Sequence, residues 1–149
     1  MIQLFTELQE KKNVRSNLSA LRASLKEATE EQKAQAIEFV RGHEDLVFGF
    51  LQEEDAKTRK NAALLLGDLA VQNALQPLWK AYTREQTLFI KSAYLEAMKA
   101  LHAEEILSQL KDRLAELEGE PVTEENRKHW EAELRALRAI LIQYEGIDT

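Results

Sequence analysis

The stretch over residues 55–69, Asp-Ala-Lys-Thr-Arg-Lys-Asn-Ala-Ala-Leu-Leu-Leu-Gly-Asp-Leu, constrains the fold more than any other part of the chain. Wound as a helix, it gathers Thr58, Ala62, Leu65, Leu66 and Leu69 on one side, a stripe that must be covered by something else. Asp55 is suited to cap that helix, because its carboxylate can accept from the free amides of the first turn. Asp55 and Arg59 are four apart, so acid and base can meet along one face. Ala62, Ala63 and Gly67 are small and admit a neighbouring helix at close range. Glycine in mid-helix costs about 1 kcal/mol relative to alanine, so close packing is the expected reason for Gly67.

Stripes of the same period recur along the chain. Ile2, Phe5 and Leu8 form one, ahead of a polar break at residues 11–13. Asn13 is the expected cap of a helix bearing Val14, Leu18, Leu21 and Leu25. At an offset of 44, Val14-Arg15 falls on Thr58-Arg59, Asn17 on Asn61, Leu21 on Leu65 and Leu25 on Leu69. Thr29 should cap a helix starting Glu30-Glu31, with Ala36, Ile37 and Val40 inward and an interruption at Gly42. Leu46, Val47, Phe50 and Leu51 mark the next. After a turn over residues 70–73, Leu75, Leu78, Trp79 and Tyr82 line a helix whose first turn holds Pro77. Thr83 is the expected cap for a segment burying Ile90, Tyr94, Ala97, Met98 and Leu101, a degenerate copy of the 55–69 pattern at an offset of 32. Ile106, Leu107, Leu110, Leu114 and Leu117 follow. Thr123 is expected to cap a last helix lined by Trp130, Leu134, Leu137, Leu141 and Tyr144 and ended by Gly146.

Helical stripes at a spacing of about 30–45 residues, joined by short turns, predict stacked helix pairs, because one pair cannot bury its own apolar face. The abundance of Ala, Leu, Glu, Lys and Arg, with five Gly and two Pro, points the same way. The expected architecture is a single all-α domain over residues 1–149. It is read as a right-handed α-solenoid of about four antiparallel helix pairs, near 1–26, 29–69, 73–101 and 103–145. An irregular bundle without true repeats stays open as the alternative.

Composition narrows the function. There is no cysteine, so thiol catalysis and thiolate metal sites are excluded. No apolar run reaches the roughly 18–20 residues that span a bilayer, and the N-terminus lacks the basic start of a signal peptide, so a cytoplasmic location is expected, with no membrane partner. The net charge of −6 is uneven. Residues 27–55 carry nine acids and two bases, residues 56–101 seven bases and three acids, and residues 102–149 twelve acids and six bases. That balance argues against dominant nucleic-acid affinity but allows a local basic face.

Chemistry-bearing motifs are missing. His43, His102 and His129 lie in separate segments without metal-ligand spacing, and no phosphate-binding glycine loop or nucleophile elbow occurs. Glu53-Glu54-Asp55 reads as a solvated turn and a cap. Trp79 and Trp130 fall on core stripes, which favours packing over base stacking. No catalytic residue, cofactor, metal or small-molecule site is therefore expected. Lys57, Lys60 and Asn61 flank the buried stripe of the 55–69 helix, and Lys91 and Lys99 lie on the corresponding helix of the next pair. Together they form the candidate binding face.

The acid at Asp55, the Thr58-Arg59 pair, Ala62-Ala63 and Leu66-Gly67-x-Leu69 resemble the second helix of a HEAT repeat, well over residues 14–101 and loosely over 102–145. The resemblance implies a binding or scaffold module whose second helices line a concave surface. It also implies that Arg15, Asp55 and Arg59 knit repeats together in a ladder. Residues 59–64, 66–67, 88–95 and 123–129, with the ending Glu145-Gly146-Ile147, resemble more narrowly the N-terminal region of Gram-positive bacterial proteins. In those, a HEAT-like region precedes an S-adenosylmethionine-dependent methyltransferase domain acting on RNA. The function so implied is non-catalytic: a module docking a macromolecular partner, either protein or, weakly, RNA. A free-standing protein-interaction scaffold is the alternative. An enzyme in its own right, such as a HEAT-like DNA glycosylase, is disfavoured by the short acidic chain.

Overall fold

The computed structural model describes residues 1–145, and within them the chain forms nine α-helices and no strand. They are α1 (Ile2–Gln9), α2 (Val14–Leu25), α3 (Glu30–Gly42), α4 (Glu44–Phe50), α5 (Ala56–Asp68), α6 (Leu75–Arg84), α7 (Leu88–Lys99), α8 (Leu107–Glu118) and α9 (Arg127–Leu141). Short 3₁₀ turns at Gln72–Ala74, Glu104–Ile106 and Ile142–Tyr144 adjoin α6, α8 and α9. The expected stop at Gly146 lies outside the described residues.

The stripes bury as their period requires. Leu18 and Leu21 of α2, Leu65 and Leu66 of α5, Leu78 and Tyr82 of α6, and Ile90, Tyr94 and Met98 of α7 are all enclosed in one core. Two caps form as expected. The Asp55 carboxylate accepts from the Thr58 amide at 2.9 Å, and Thr29 and Gln32 bond reciprocally across the first turn of α3.

Three other caps differ. Asn13 precedes α2, but its backbone is left-handed (φ 46°) and its side chain makes no capping bond. Thr83 lies inside α6 and donates to the Lys80 carbonyl, because the Leu78–Tyr82 stripe carries that helix on to Arg84; the cap position of α7 is Thr87. Thr123 bonds reciprocally with Asn126 in a turn ahead of α9, so Glu124 and Glu125 sit in that turn and the helix starts at Arg127.

Four helices, α2, α5, α7 and α9, pack side by side in that order, and each also packs on a helix just before it: α1, α4, α6 and α8. Contacts at both ends show that neighbours in this layer run parallel. Arg15 at the start of α2 meets Asp55 at 3.5 Å, and Arg22 near its end meets Asp68 at 2.8 Å. Arg59 in α5 reaches the Glu85–Thr87 segment that opens α7, whereas Gly67 lies against Ala97. Beyond the helix ends, Gln72 exchanges two hydrogen bonds with the His102 backbone, and the Ala103 amide donates to the Tyr144 hydroxyl at 2.8 Å. The offset of 32 extends past the helix on which it was read. Ala56 and Leu88 open α5 and α7, Gln72 and Glu104 open the 3₁₀ turns, and Leu75 and Leu107 open α6 and α8.

The segment 29–69 holds three helices rather than one pair. The additional helix, α3, is joined to α1 by Phe5 stacked on Phe39 at 4.5 Å between ring centroids. His43 then stacks on Phe39 at 4.6 Å and meets Gln9 at 2.7 Å.

Gly67 has the steric reason its sequence context suggested. A Cβ there would stand 2.7 Å from the Ala97 Cα, a backbone atom that cannot swing aside. In an isolated helix Gly→Ala is favourable by about 1 kcal/mol. Here Gly67→Ala is expected to destabilise by about 1–3 kcal/mol through overpacking, read as a lower denaturation midpoint. Leu65→Ala, which opens a cavity at a buried site, is expected to cost about 2–5 kcal/mol, and Lys60→Ala less than about 0.5. Equal losses at positions 65 and 60 would show that the two faces of α5 had been exchanged.

Candidate functional site

The five residues expected on one face part company in the structure. On α5, Lys57 is exposed while Lys60 and Asn61 are half-buried. Lys99 is exposed near the end of α7, where it lines a groove of about 230 Å³ against α9 with Ser92, Glu96, Ala132 and Arg135. Lys91 turns away from them. Its side chain is only 16% exposed, its ammonium lies 3.9 Å from Glu133 and stands 5.3 Å over the Tyr82 ring. The spacing that puts residue 91 on the same helix as residue 99 also turns it toward α9, where a buried carboxylate holds it. Arg135 was not among the expected residues and lies beside Lys99. Lys57, Lys60, Lys99 and Arg135 form no ion pair among the described residues.

The strongest electrostatics of the molecule lie in its seams. Arg59 does not close on Asp55. Its guanidinium forks onto Glu85, with Nε to Oε1 at 2.9 Å and Nη2 to Oε2 at 2.8 Å, and its Nη1 donates to the Glu53 and Glu54 carbonyls at 2.7 and 2.8 Å. The Tyr94 hydroxyl donates to the Glu85 carboxylate at 2.6 Å, and the Thr87 amide donates to it at 3.0 Å. Burial opposes ionisation of Glu85, but the Arg59 guanidinium, the Tyr94 hydroxyl and the Thr87 amide outweigh it and hold the carboxyl down to about 2. Burial, then the adjacent Glu85 carboxylate, raise Tyr94 above the ordinary tyrosine value. Beside this network a cleft of about 550 Å³ opens between the α4–α5 loop and α6, bordered by Phe48, Leu51, Pro77, Lys80 and Arg84.

A second network joins α6, α8 and α9. Tyr82 donates to Glu133, and Arg113 reaches the same carboxylate with Nε at 2.9 Å and Nη2 at 3.3 Å. Arg113 Nη1 is taken by Glu120 at 2.9 Å. Burial and the Glu133 carboxylate push the Tyr82 phenol well up, so it stays a neutral donor. Trp130 packs at the rim and donates its indole N–H to the Leu117 carbonyl at 2.8 Å. Of the histidines, His43 stands in the α1–α3 contact and His129 borders the hollow next to Glu133. Both carboxylates here escaped the sequence reading. The available signal was a tyrosine on each of two core stripes, since a buried phenol must find an acceptor.

Arg15 and Asp55 do meet across α2 and α5, as a ladder requires, while the next rung uses Glu85 in place of an aspartate. The chemistry of these networks is structural. Every guanidinium and carboxylate in them is committed to a partner inside the fold, and both carboxylates are held by arginine forks. Among the described residues no cluster of three or more His, Asp or Glu has the geometry to hold a metal ion, and no helix is long and apolar enough to cross a membrane. No protein-family model matches the chain, and neither a curated protein nor a solved structure matches it. The HEAT resemblance thus rests on the residues quoted.

Glu85 makes stability depend on acid. Its folded value lies near 2 against 4.5 for the free group, so the unfolded chain takes up the proton first as pH falls. The contribution, about 3 kcal/mol, is fully present above pH 4.5 and is lost as pH falls from there through 2. Denaturation midpoints measured between pH 6 and 2 should show this loss in the native protein. Glu85→Gln should be less stable at pH 6 and lack that part of the slope.

Proposed function

We propose that this chain is a non-catalytic helical-repeat binding domain of the HEAT type, a right-handed α-solenoid of about four pairs, which presents the outer face of its α2–α5–α7–α9 layer to a polyanionic partner. The observation that carries the reading is the unit of helix, 3₁₀ turn and helix that recurs at 32 residues in α5–α6 and α7–α8, with parallel second helices side by side. A layer of this kind offers a broad surface without a deep enclosed pocket, which suits a macromolecule better than a metabolite. The charged groups buried in the seams are spent on holding neighbours together, whereas Lys57, Lys60, Lys99 and Arg135 remain available to a partner. The narrower resemblance fits the same face, since docking of substrate for an RNA methyltransferase needs a polyanion-binding surface of this sort.

Heparin and structured RNA are suitable probes. Four phosphate or sulfate contacts imply a log–log salt slope of roughly −3 to −4 in total. Replacing Lys60 and Lys99 with Glu should abolish binding at low salt while the melting temperature stays almost unchanged. Lys91→Glu should behave differently. It sets a new carboxylate against Glu133 and is expected to destabilise by about 3–5 kcal/mol. Absence of polyanion binding by the native chain, or binding untouched by the charge reversals, would remove this face from the reading and leave a protein-interaction scaffold in its place.

A further inference from the structure

We propose that the outer face of α5, α7 and α9 takes a single-stranded nucleic acid, its phosphates on Lys57, Lys60, Lys99 and Arg135 and one base stacked on Phe89. The inference rests on the basic-face reading above and names its ligand. Four large apolar side chains stand exposed among the described residues: Ile2, Leu88, Phe89 and Ile142. Ile2 and Ile142 belong to the first and last turns of the helical array, where no further helix covers them. Leu88 and Phe89, each 48% exposed, open α7 in the middle of the layer instead. The core does not need them, because Ile90, Tyr94 and Met98 already supply the inward stripe.

Phe89 and Lys99 lie about 80° apart around α7, with Glu96 between them, and all three are exposed. Phe89 and Lys99 stand about 15 Å apart along α7 at 1.5 Å per residue, and a ligand reaching both must be a polymer of charges. The contact of Gly67 with Ala97, in a parallel pair, sets residues of α7 level with those about 30 positions earlier on α5. Phe89 is then level with residues 59–60, next to Lys60 and within a turn of Lys57. An exposed ring bracketed by ammonium groups suits a strand whose bases are free to stack while its phosphates track the cations. A duplex keeps its bases paired and has no face to give. Past Phe89, the groove between α7 and α9 is floored by Ser92, Ala132, Ala136 and Ala139, so a strand can lie low between Lys99 and Arg135. Glu96 stands in that groove. Its carboxylate repels an acidic helix laid along the groove, but accepts from the exocyclic amino groups of bases.

Fluorescence anisotropy on the full chain at low salt tests this with a labelled 12-nucleotide single strand, as RNA and as DNA, the corresponding RNA duplex, and a heparin fragment. One or both single strands should bind more tightly than the duplex, and the preferred sugar identifies the source of the strand. Phe89→Ala should weaken single-strand binding about 5- to 100-fold while leaving heparin affinity and the salt slope unchanged, and Phe89→Trp should restore it. Thermal melts of both variants check that the fold is kept. Heparin binding with no preference for single strands, or a Phe89→Ala variant that binds the strand as the native protein does, overturns this inference alone. If heparin itself does not bind, the basic-face reading fails and this inference falls with it.

Discussion

The approach of α5 to α7 at Gly67 is the constraint on which the rest of the structure depends. With no Cβ at that position, the Ala97 backbone comes within the space a methyl group would fill. The two helices then lie parallel and in one register, and the short connections place α6 between their ends. From that register follow the reach of Arg59 to Glu85 and the reciprocal bonds of Gln72 with the His102 backbone. A larger residue at position 67 would disturb both of these together.

Ion pairs reinforce this register where apolar contact cannot. Leucine against leucine is tolerant of sliding by part of a turn, but an arginine fork on a buried carboxylate is not. Arg59 on Glu85 and Arg113 on Glu133 each join segments far apart in sequence, and each carboxylate also takes a tyrosine hydroxyl from a core stripe. Buried pairs of this sort add little net stability over a well-packed apolar contact, yet losing one partner leaves a charge stranded. Their contribution here is to hold one packing of otherwise similar helices against alternatives, while the lysines and the arginine of the outer face stay free of such duties.

Function, on this reading, comes from what the fold leaves unspent. Each second helix gives one face to the pair beneath it and its flanks to its neighbours, so only a narrow outward stripe remains. On α5 that stripe carries Lys57 and Lys60, on α7 Phe89 and Lys99, and on α9 Arg135. Three helices of one layer thereby combine residues 57 to 135 into a surface that no single helix could present.

Helical content, the inward stripes and the caps at Asp55 and Thr29 were legible from residue spacing, because each depends on pattern within a turn or two of one helix; Gly67 was legible as a close approach because glycine in mid-helix is costly without one, though which helix approaches was not. Glu85 and Glu133 were not legible as hubs. Nothing local separates a glutamate destined for a buried arginine from one destined for water. Lys91 illustrates the same limit. On a helical wheel it sits near the edge between inward and outward faces, and only the position of Glu133 on α9 draws it in. The cap at Thr83 was misplaced for a related reason, since a threonine signals a helix start only when the preceding helix has already ended, and packing of Tyr82 keeps α6 going; Thr123 instead closes a turn with Asn126 ahead of α9. Sequence alone determined which residues must be hidden, through the period of the apolar stripes. The tertiary structure decided which charges meet across the seams and which are left outward, because those pairings depend on the register between helices that are tens of residues apart.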